Sequence, residues 1–217
     1  MKVEFLFRAA TVNDCPKIAQ LFSIATDGVA NYIWSTLQTA CPELSLIEIG
    51  TKRYAKEQTD FSYQNCVVVE YNGEVIGMMV SFPLKASEAE SERNSEAANH
   101  SEPSLSEPDV LAPYYRLKLK APKTWYIGGI ALFPEFRGQG IGTQLLDIAR
   151  IQAQEQGFQK LSLLAFEQNK RAVKLYEQNG FKVIERTSVV PNEMIRYTGN
   201  LLLMLAPVSG QTCLKLS

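Results

Sequence analysis

Between Arg137 and Thr143 the chain reads R-G-Q-G-I-G-T, with glycines at every second position behind an arginine and ahead of an apolar helical pattern. A helix N-terminus leaves backbone N–H groups unpaired and carries partial positive charge, so it can hold an anion without a lysine. Glycine lets that backbone come close to the anion and turn where other residues cannot. Arg137 adds a fixed charge. The chemistry these residue types permit is the grip of a phosphate or pyrophosphate. Two nucleotide motifs fit poorly. No lysine follows Gly142, as a P-loop requires, and the spacing is G-x-G-x-G with Pro134-Glu135-Phe136 intervening, not G-x-G-x-x-G directly after a strand. Tight helix packing is the bland alternative for the triplet.

Other chemistry is sparse. His100 is the only histidine and lies in SERNSEAANHSEPSLSEPD, a stretch too polar to hold a rigid base, which disfavours Ser-His-Asp and Cys-His hydrolysis. Cys15, Cys41, Cys66 and Cys213 stand apart with no CxxC pair, so neither a zinc site nor a disulfide framework is expected. They read as reduced packing residues, and no metal is implied. A formal net charge of -1 gives no general attraction to nucleic acid or anionic membrane. No apolar run reaches the roughly 20 residues of a membrane helix, and the start MKVEFLFRAATVNDCP is too short and too charged for a signal peptide. A cytoplasmic protein is expected.

The elements that must position these residues follow from periodicity. KVEFLFRAA alternates as a strand, TVNDCPKIAQLFSIA and ANYIWSTLQTA read as helices about the break at Asp27-Gly28, and NCVVVEYNGEVIGMMVSF is a hairpin about Asn72-Gly73. TWYIGGIALF is a buried strand before the glycine stretch, whose helix ends at Gly157. KLSLLAF, a helix over NKRAVKLYEQNG, FKVIERTSVV and NLLLMLAP complete the chain. The order of elements is β-α-α-β-β-(insertion)-β-α-β-α-β-β, that of an α/β chain. At 217 residues a single domain over 1–217 is expected. From about 85 to 112, Glu88, Glu90, Glu92, Glu96, Glu102, Glu107 and Asp109 face only Lys85 and Arg93, the composition of a flexible acidic insertion. It reads as a solvated linker or, more sharply, as a flap that gathers a cationic substrate.

IALFPEFRGQGIGTQLL closely resembles the acyl-CoA motif of the GNAT acyltransferase superfamily, a strand followed by [RQ]-x-x-G-x-[GA] at the mouth of a helix. LLAFEQNKRAVKLYEQNGF matches its second half, with Asn169 after a strand, Ala172, Leu175-Tyr176 and the closing Asn179-Gly180-Phe181. The resemblance is firm from about Trp125 to Val183, extends less closely to the N-terminal β-α-α-β-β and is absent for the insertion; it implies the family's fold, a central mixed, mostly antiparallel sheet flanked by helices. It implies that Arg137, Gly138, Gln139, Gly140, Ile141, Gly142 and Thr143 cradle the pyrophosphate of acetyl-CoA as cosubstrate. It also implies that Ile130, Ala131 and Leu132 pair with the pantetheine arm, that Asn169 contacts that arm, and that Tyr176 lies near the sulfur. Asn169 can serve as a helix N-cap as well.

The activity so implied is N-acetyl transfer to a primary amine by direct attack through a tetrahedral intermediate. A backbone N–H, Leu132 or a neighbour, would meet the oxyanion, and Tyr176 would act as general acid. Asp27 and Glu167 are the candidate bases, each with a cap or a solvated carboxylate as its alternative. Tyr32, Trp34, Tyr114 and Tyr115 are the aromatic candidates for the acceptor pocket, or equally core residues. The acceptor is a small-molecule or peptide amine, and the chain a monomer or homodimer, with NLLLML a strand able to pair with a second subunit. The rivals are a non-catalytic acyl-CoA-binding sensor or partner module and an unrelated nucleotide binder.

Overall fold

The structure is a computed structural model that describes residues 4–84, 121–189 and 191–209. The acidic insertion, and with it His100, Tyr114 and Tyr115, lies outside the described residues. Strands β1 (Leu6–Ala9), β2 (Cys66–Tyr71), β3 (Glu74–Leu84), β4 (Thr124–Leu132), β5 (Lys160–Phe166), β6 (Lys182–Ser188) and β7 (Asn200–Pro207) form one seven-stranded sheet in the order β1-β2-β3-β4-β5-β7-β6. Every neighbouring pair is antiparallel except β4 with β5. This is the mixed, mostly antiparallel α/β sheet that the resemblance implies.

Helices α1 (Cys15–Ala25), α2 (Val29–Gln38), α3 (Leu46–Ala55), α4 (Ile141–Glu155) and α5 (Lys170–Gln178) cover the sheet. Ile18 and Leu21 of α1 pack with Val68, Met78 and Val80 from one face. Leu145, Leu146, Ala149 and Ala153 of α4 pack with Val69, Met79, Ile127 and Leu163 from the other. Both faces of the central strands are therefore apolar, which is why β2 and β3 read as nearly continuous hydrophobic runs. The helix α3 is missing from the sequence-based order. Its signal was present in S-x-x-E: Ser45 Oγ accepts from the Glu48 N–H (3.3 Å) and Glu48 Oε2 accepts from the Ser45 N–H (2.8 Å).

Two further expectations are corrected. The strand NLLLML is not an edge, since β7 is bonded to β5 on one side and β6 on the other, with Leu201, Leu202, Leu203 and Met204 buried. Pairing with a second subunit through it is excluded by those bonds. Trp34 is 3% exposed and packs with Ala19, Ala30 and Ile49, its ring standing where a Cβ on Gly50 would be. It is a core residue between α1, α2 and α3, not a wall of an acceptor pocket.

At the sheet edge, Arg8 bonds both carboxylate oxygens of Asp14 (2.8 and 3.0 Å) and Glu70 (2.9 Å). The Arg8 hydrogen bond pulls Asp14 down from 3.8 to about 2, against the opposing effect of burial. A depressed carboxylate stabilises the fold above its unfolded pKa, and that stabilisation is lost as pH falls through the folded value. Acid unfolding should therefore show a loss of roughly 2 kcal/mol between about pH 4 and pH 2 that Asp14→Asn removes. Identical urea-unfolding profiles of the two proteins across that window would refute it.

Candidate active site

The parallel ladder of β4 and β5 is short. Trp125, Tyr126 and Ile127 pair with Leu161, Ser162 and Leu163, and pairing stops there although β4 runs on to Leu132 and β5 to Phe166. A hydrogen bond between Thr124 Oγ1 and Ser162 Oγ (2.6 Å) fixes the closed end. The cause of the parting lies on the β3 side of β4. Val80 faces Gly129 but Ser81 faces Ile127, so Gly128 is an extra residue, a bulge that bends the strand. A Cβ on Gly128 would meet the Phe61 ring at 3.1 Å and one on Gly129 would meet Ala25 at 3.1 Å, so α1 and the loop after α3 crowd the bulge and any larger residue must push them back. A Gly-Gly pair inside a strand pattern signals such a bulge, and sequence reasoning passed over it.

Beyond the bulge the amide directions are fixed by alternation. The Phe133 N–H donates to the Ile76 carbonyl (3.0 Å), and successive amides of a strand point to opposite edges. The N–H groups of Leu132 and Ile130 therefore point away from β3, into the gap toward β5. Ala131 turns its backbone to β3, so of the three residues expected to pair with a ligand arm it is the exception. Arg137 Nε donates to the Leu132 carbonyl (2.9 Å), which ties the arginine to the mouth of the gap.

The glycine loop continues from that mouth. Gly138 and Gly140 have φ +81° and +80°, the left-handed conformation, and Gly140 caps α4. The Arg137 N–H bonds Pro134 and the Thr143 N–H bonds Gly140. The amides from Gly138 to Gly142 make no backbone bond among the described residues. Arg171 of α5 stands over Gly138, its Nη2 3.9 Å from where a Cβ would lie, and is a second cation that sequence reasoning missed. With Gln139 and Gly140 exposed, the loop leaves these amides open to solvent, the arrangement by which a helix N-terminus can hold an anion. Its base is rigid: Arg150 bonds Asp147 (2.8 Å) and the Asn179 carbonyl, while Asn179 Nδ2 donates to the Leu175 carbonyl (2.8 Å), so α4 and the end of α5 are tied together.

The opposite bank of the gap is the start of α5. Asn169 Oδ1 accepts from the Ala172 N–H (3.2 Å), and its Nδ2 donates to Asp27 Oδ2 (3.0 Å). The side chain is thus a cap and a clamp on Asp27 at once. Asp27 sits at φ +49° in the turn between α1 and α2, and the Arg196 N–H holds its carbonyl (2.9 Å). Burial raises the Asp27 carboxyl above its usual range, with the Asn169 bond and the charges of Arg196 and Arg137 opposing. Tyr176 lies on α5, its ring edge-on to Phe181, and its hydroxyl makes no hydrogen bond within the described residues. Burial first, and the charge of Asp27 second, push its phenol up to about 12.

Glu167 has a different setting. Asn200 Nδ2 donates to it (2.8 Å), Arg186 lies 3.6 Å away, and the Asn200 bond leads in holding its carboxyl below the usual range. Tyr32 is half-buried against Phe166, Ile195 and Leu203, on the side of the sheet that carries the Asp27 turn. Arg196 stacks over Tyr197 (5.4 Å) in the β6–β7 loop and had no sequence signal. No group of three or more His, Cys, Asp or Glu able to hold a metal occurs among the described residues, and none of their helices is long and apolar enough to cross a membrane.

Residues 31–181 match the family model described as acetyltransferase (GNAT) family. Solved structures of similar fold include one described as an acetyltransferase, 27% identical with a TM-score of 0.60, which covers 94% of this chain and 99% of its own. An N-acetyltransferase from Staphylococcus aureus Mu50 is 22% identical with a TM-score of 0.59, covering 93% of this chain and 100% of its own. A chain of the NatC complex, solved with Gag peptide and CoA, is 16% identical with a TM-score of 0.54, covering 94% and 98%. No curated protein matches the sequence.

Because a Cβ on Gly140 would meet nothing within 4 Å, Gly140→Ala isolates the backbone cost of the cradle. It should lower unfolding free energy by roughly 1–2 kcal/mol, the left-handed penalty of a residue with a Cβ. Unchanged urea stability would mean the loop does not need that conformation.

Proposed function

The chain belongs to the acetyltransferase (GNAT) family, and from that premise we propose that it moves an acetyl group from acetyl-CoA to the nitrogen of a primary amine. The observation that carries the reading is the gap between β4 and β5, with unpaired amides on one bank and a cradle of unpaired amides at its mouth. A long thioester with a pyrophosphate handle has the chemistry to satisfy both, and a structural neighbour of the same fold was solved with CoA. Arg137 and the amides from Gly138 to Gly142 would hold the pyrophosphate, with Arg171 adding charge. Ile130 and Leu132 would bond the pantetheine arm from one bank and Asn169 would approach it from the other.

Acetyl-CoA supplies the activated acyl carbon, and the chain's own residues orient it and move protons. An amide pointing into the gap, Leu132 in this reading, stabilises negative charge on the carbonyl oxygen as the amine attacks. The attacking amine must be neutral. Asp27 is the proposed base, because burial raises its proton affinity toward the working range, whereas Glu167 is held ionised by Asn200 and Arg186 and is the weaker base.

Tyr176 is the proposed acid. Against a thiol near ~8.5, a phenol at about 12 gives up its proton uphill by ~5 kcal/mol, so it acts first as a hydrogen-bond donor to the leaving sulfur. One cause of that high value is the charge on Asp27. When Asp27 takes the amine proton that charge disappears, and Tyr176 becomes a stronger acid as the sulfur comes to need a proton. Base and acid are coupled through one carboxylate.

Amine-dependent release of free thiol from acetyl-CoA is the direct test, and no release with any amine in a broad panel would overturn the reading. Tyr176→Phe should lower kcat roughly 10²-fold or more while calorimetry shows acetyl-CoA bound as before. Asp27→Asn should lower kcat/KM by roughly 10²–10⁴-fold and abolish an acid limb lying above pH 3.8, the ordinary carboxylate value. A raised carboxyl favours the fold only while protonated, and that contribution is lost as pH rises through its folded pKa. Asp27→Asn should therefore unfold at the same or a higher temperature at neutral pH, and a lower one would assign Asp27 a structural role.

A further inference from the structure

Phe61 stands between the bulge and a second space. Its ring edge is 3.1 Å from the Cβ position of Gly128, where β4 and β5 part, and it is continuous with the rings of Phe22 (5.4 Å) and Phe82 (5.3 Å). It is also 36% exposed and forms a wall of a solvent-open cleft of about 350 Å³ between α2, α3 and the loop that follows α3. The other walls are mostly apolar, from Leu37, Cys41, Leu44 and Ile49, with Thr59 beside them. The rim is cationic: Lys52, Arg53 and Lys56 line it against the single carboxylate of Asp60. Lys52 and Lys56 are exposed, and neither forms an ion pair among the described residues.

We propose that this cleft receives the far end of the acceptor, and that the acceptor is a primary amine on an apolar chain that ends in a carboxylate. The proposal rests on the acetyl-transfer reading of the gap. With the amine at Asp27 and the bulge, an apolar chain would cross Phe22 and Phe61 and bury its methylenes against the cleft walls, so affinity would rise with chain length. The carboxylate would then meet Lys52 and Lys56, whereas a second amino group there would face the like charges of those two lysines. An acceptor of this kind is the opposite of the cationic one that the acidic insertion suggests.

The test is calorimetry on the protein saturated with coenzyme A, using n-alkylamines, α,ω-diamines and ω-amino carboxylates of matched, graded chain length. The amino carboxylate of best length is expected to bind roughly tenfold tighter than the alkylamine of the same length, an advantage of the size two exposed charges supply. Lys52→Gln combined with Lys56→Gln should erase that advantage and leave alkylamine binding unchanged, and the corresponding double Arg variant should retain it. Phe61→Ala should weaken the longer members of all three series. Diamines or alkylamines binding as well as amino carboxylates at every length would overturn the proposal. So would an undiminished advantage in the double Gln variant, or no saturable binding of any amino carboxylate. Acetyl-CoA binding and amine-dependent thiol release in the same preparation read the underlying activity separately. If thiol release persists with diamines preferred, only the cleft assignment fails; if acetyl-CoA does not bind, the acetyl-transfer reading fails.

Discussion

Hydrogen bonding between β4 and β5 ends at Ile127 and Leu163, and the rest of the site depends on that interruption. One surplus residue, Gly128, turns β4 away from β5 while keeping it bonded to β3 down to Leu132. The sheet therefore opens in its middle, where a buried unpaired amide costs on the order of 1–3 kcal/mol unless something bonds it. The cost is avoided because the opening leads to solvent past Arg137 and the glycine loop. A continuous β4–β5 ladder would make a more regular sheet and leave no strand edge for a ligand to pair with.

The same opening organises the titrating groups. Strand β4 carries the donors on one bank, while the other bank is the end of β5 and the first turn of α5, where Asn169 caps the helix and bonds Asp27 across from it. Asp27 is thereby joined to the helix that carries Tyr176, and its charge raises the proton affinity of that phenol. A single amide side chain thus links a helix cap, a strained turn and the proposed proton path, and changes at Asn169 act on all three.

The fold was legible where pattern is strong. The hairpin about Asn72-Gly73, the helix after the glycine loop and the order of the later strands follow from periodicity and turn residues. The helix α3 was overlooked although its Ser45–Glu48 box was in view, because Leu46, Ile47 and Ile49 cluster in its first turn and Gly50, Thr51, Lys52 and Arg53 interrupt the apolar period before Tyr54. The turn of the glycine loop was legible because Gly138 and Gly140 take the left-handed conformation that glycine allows, whereas Gly142 stands against Leu175, 3.0 Å from its Cβ position, as tight helix packing requires. Trp34 was ambiguous because an aromatic at helical spacing carries no mark of which face it serves; Gly50 opposite it decides the matter. The Asn169–Asp27 bond joins residues 142 positions apart and had no local signal at all. The role of β7 was misjudged because position near the end of the chain says little about position in a sheet.

The central claim is that the free edge of β4 and the glycine loop together bind one ligand. Backbone amide hydrogen exchange with and without coenzyme A tests it most directly. Exchange is expected to slow at Ile130 and Leu132 and from Gly138 to Gly142, with Ala131 and Gly129, already turned to β3, unchanged. Protection confined to the loop, or equal at Ala131 and Leu132, would contradict the account.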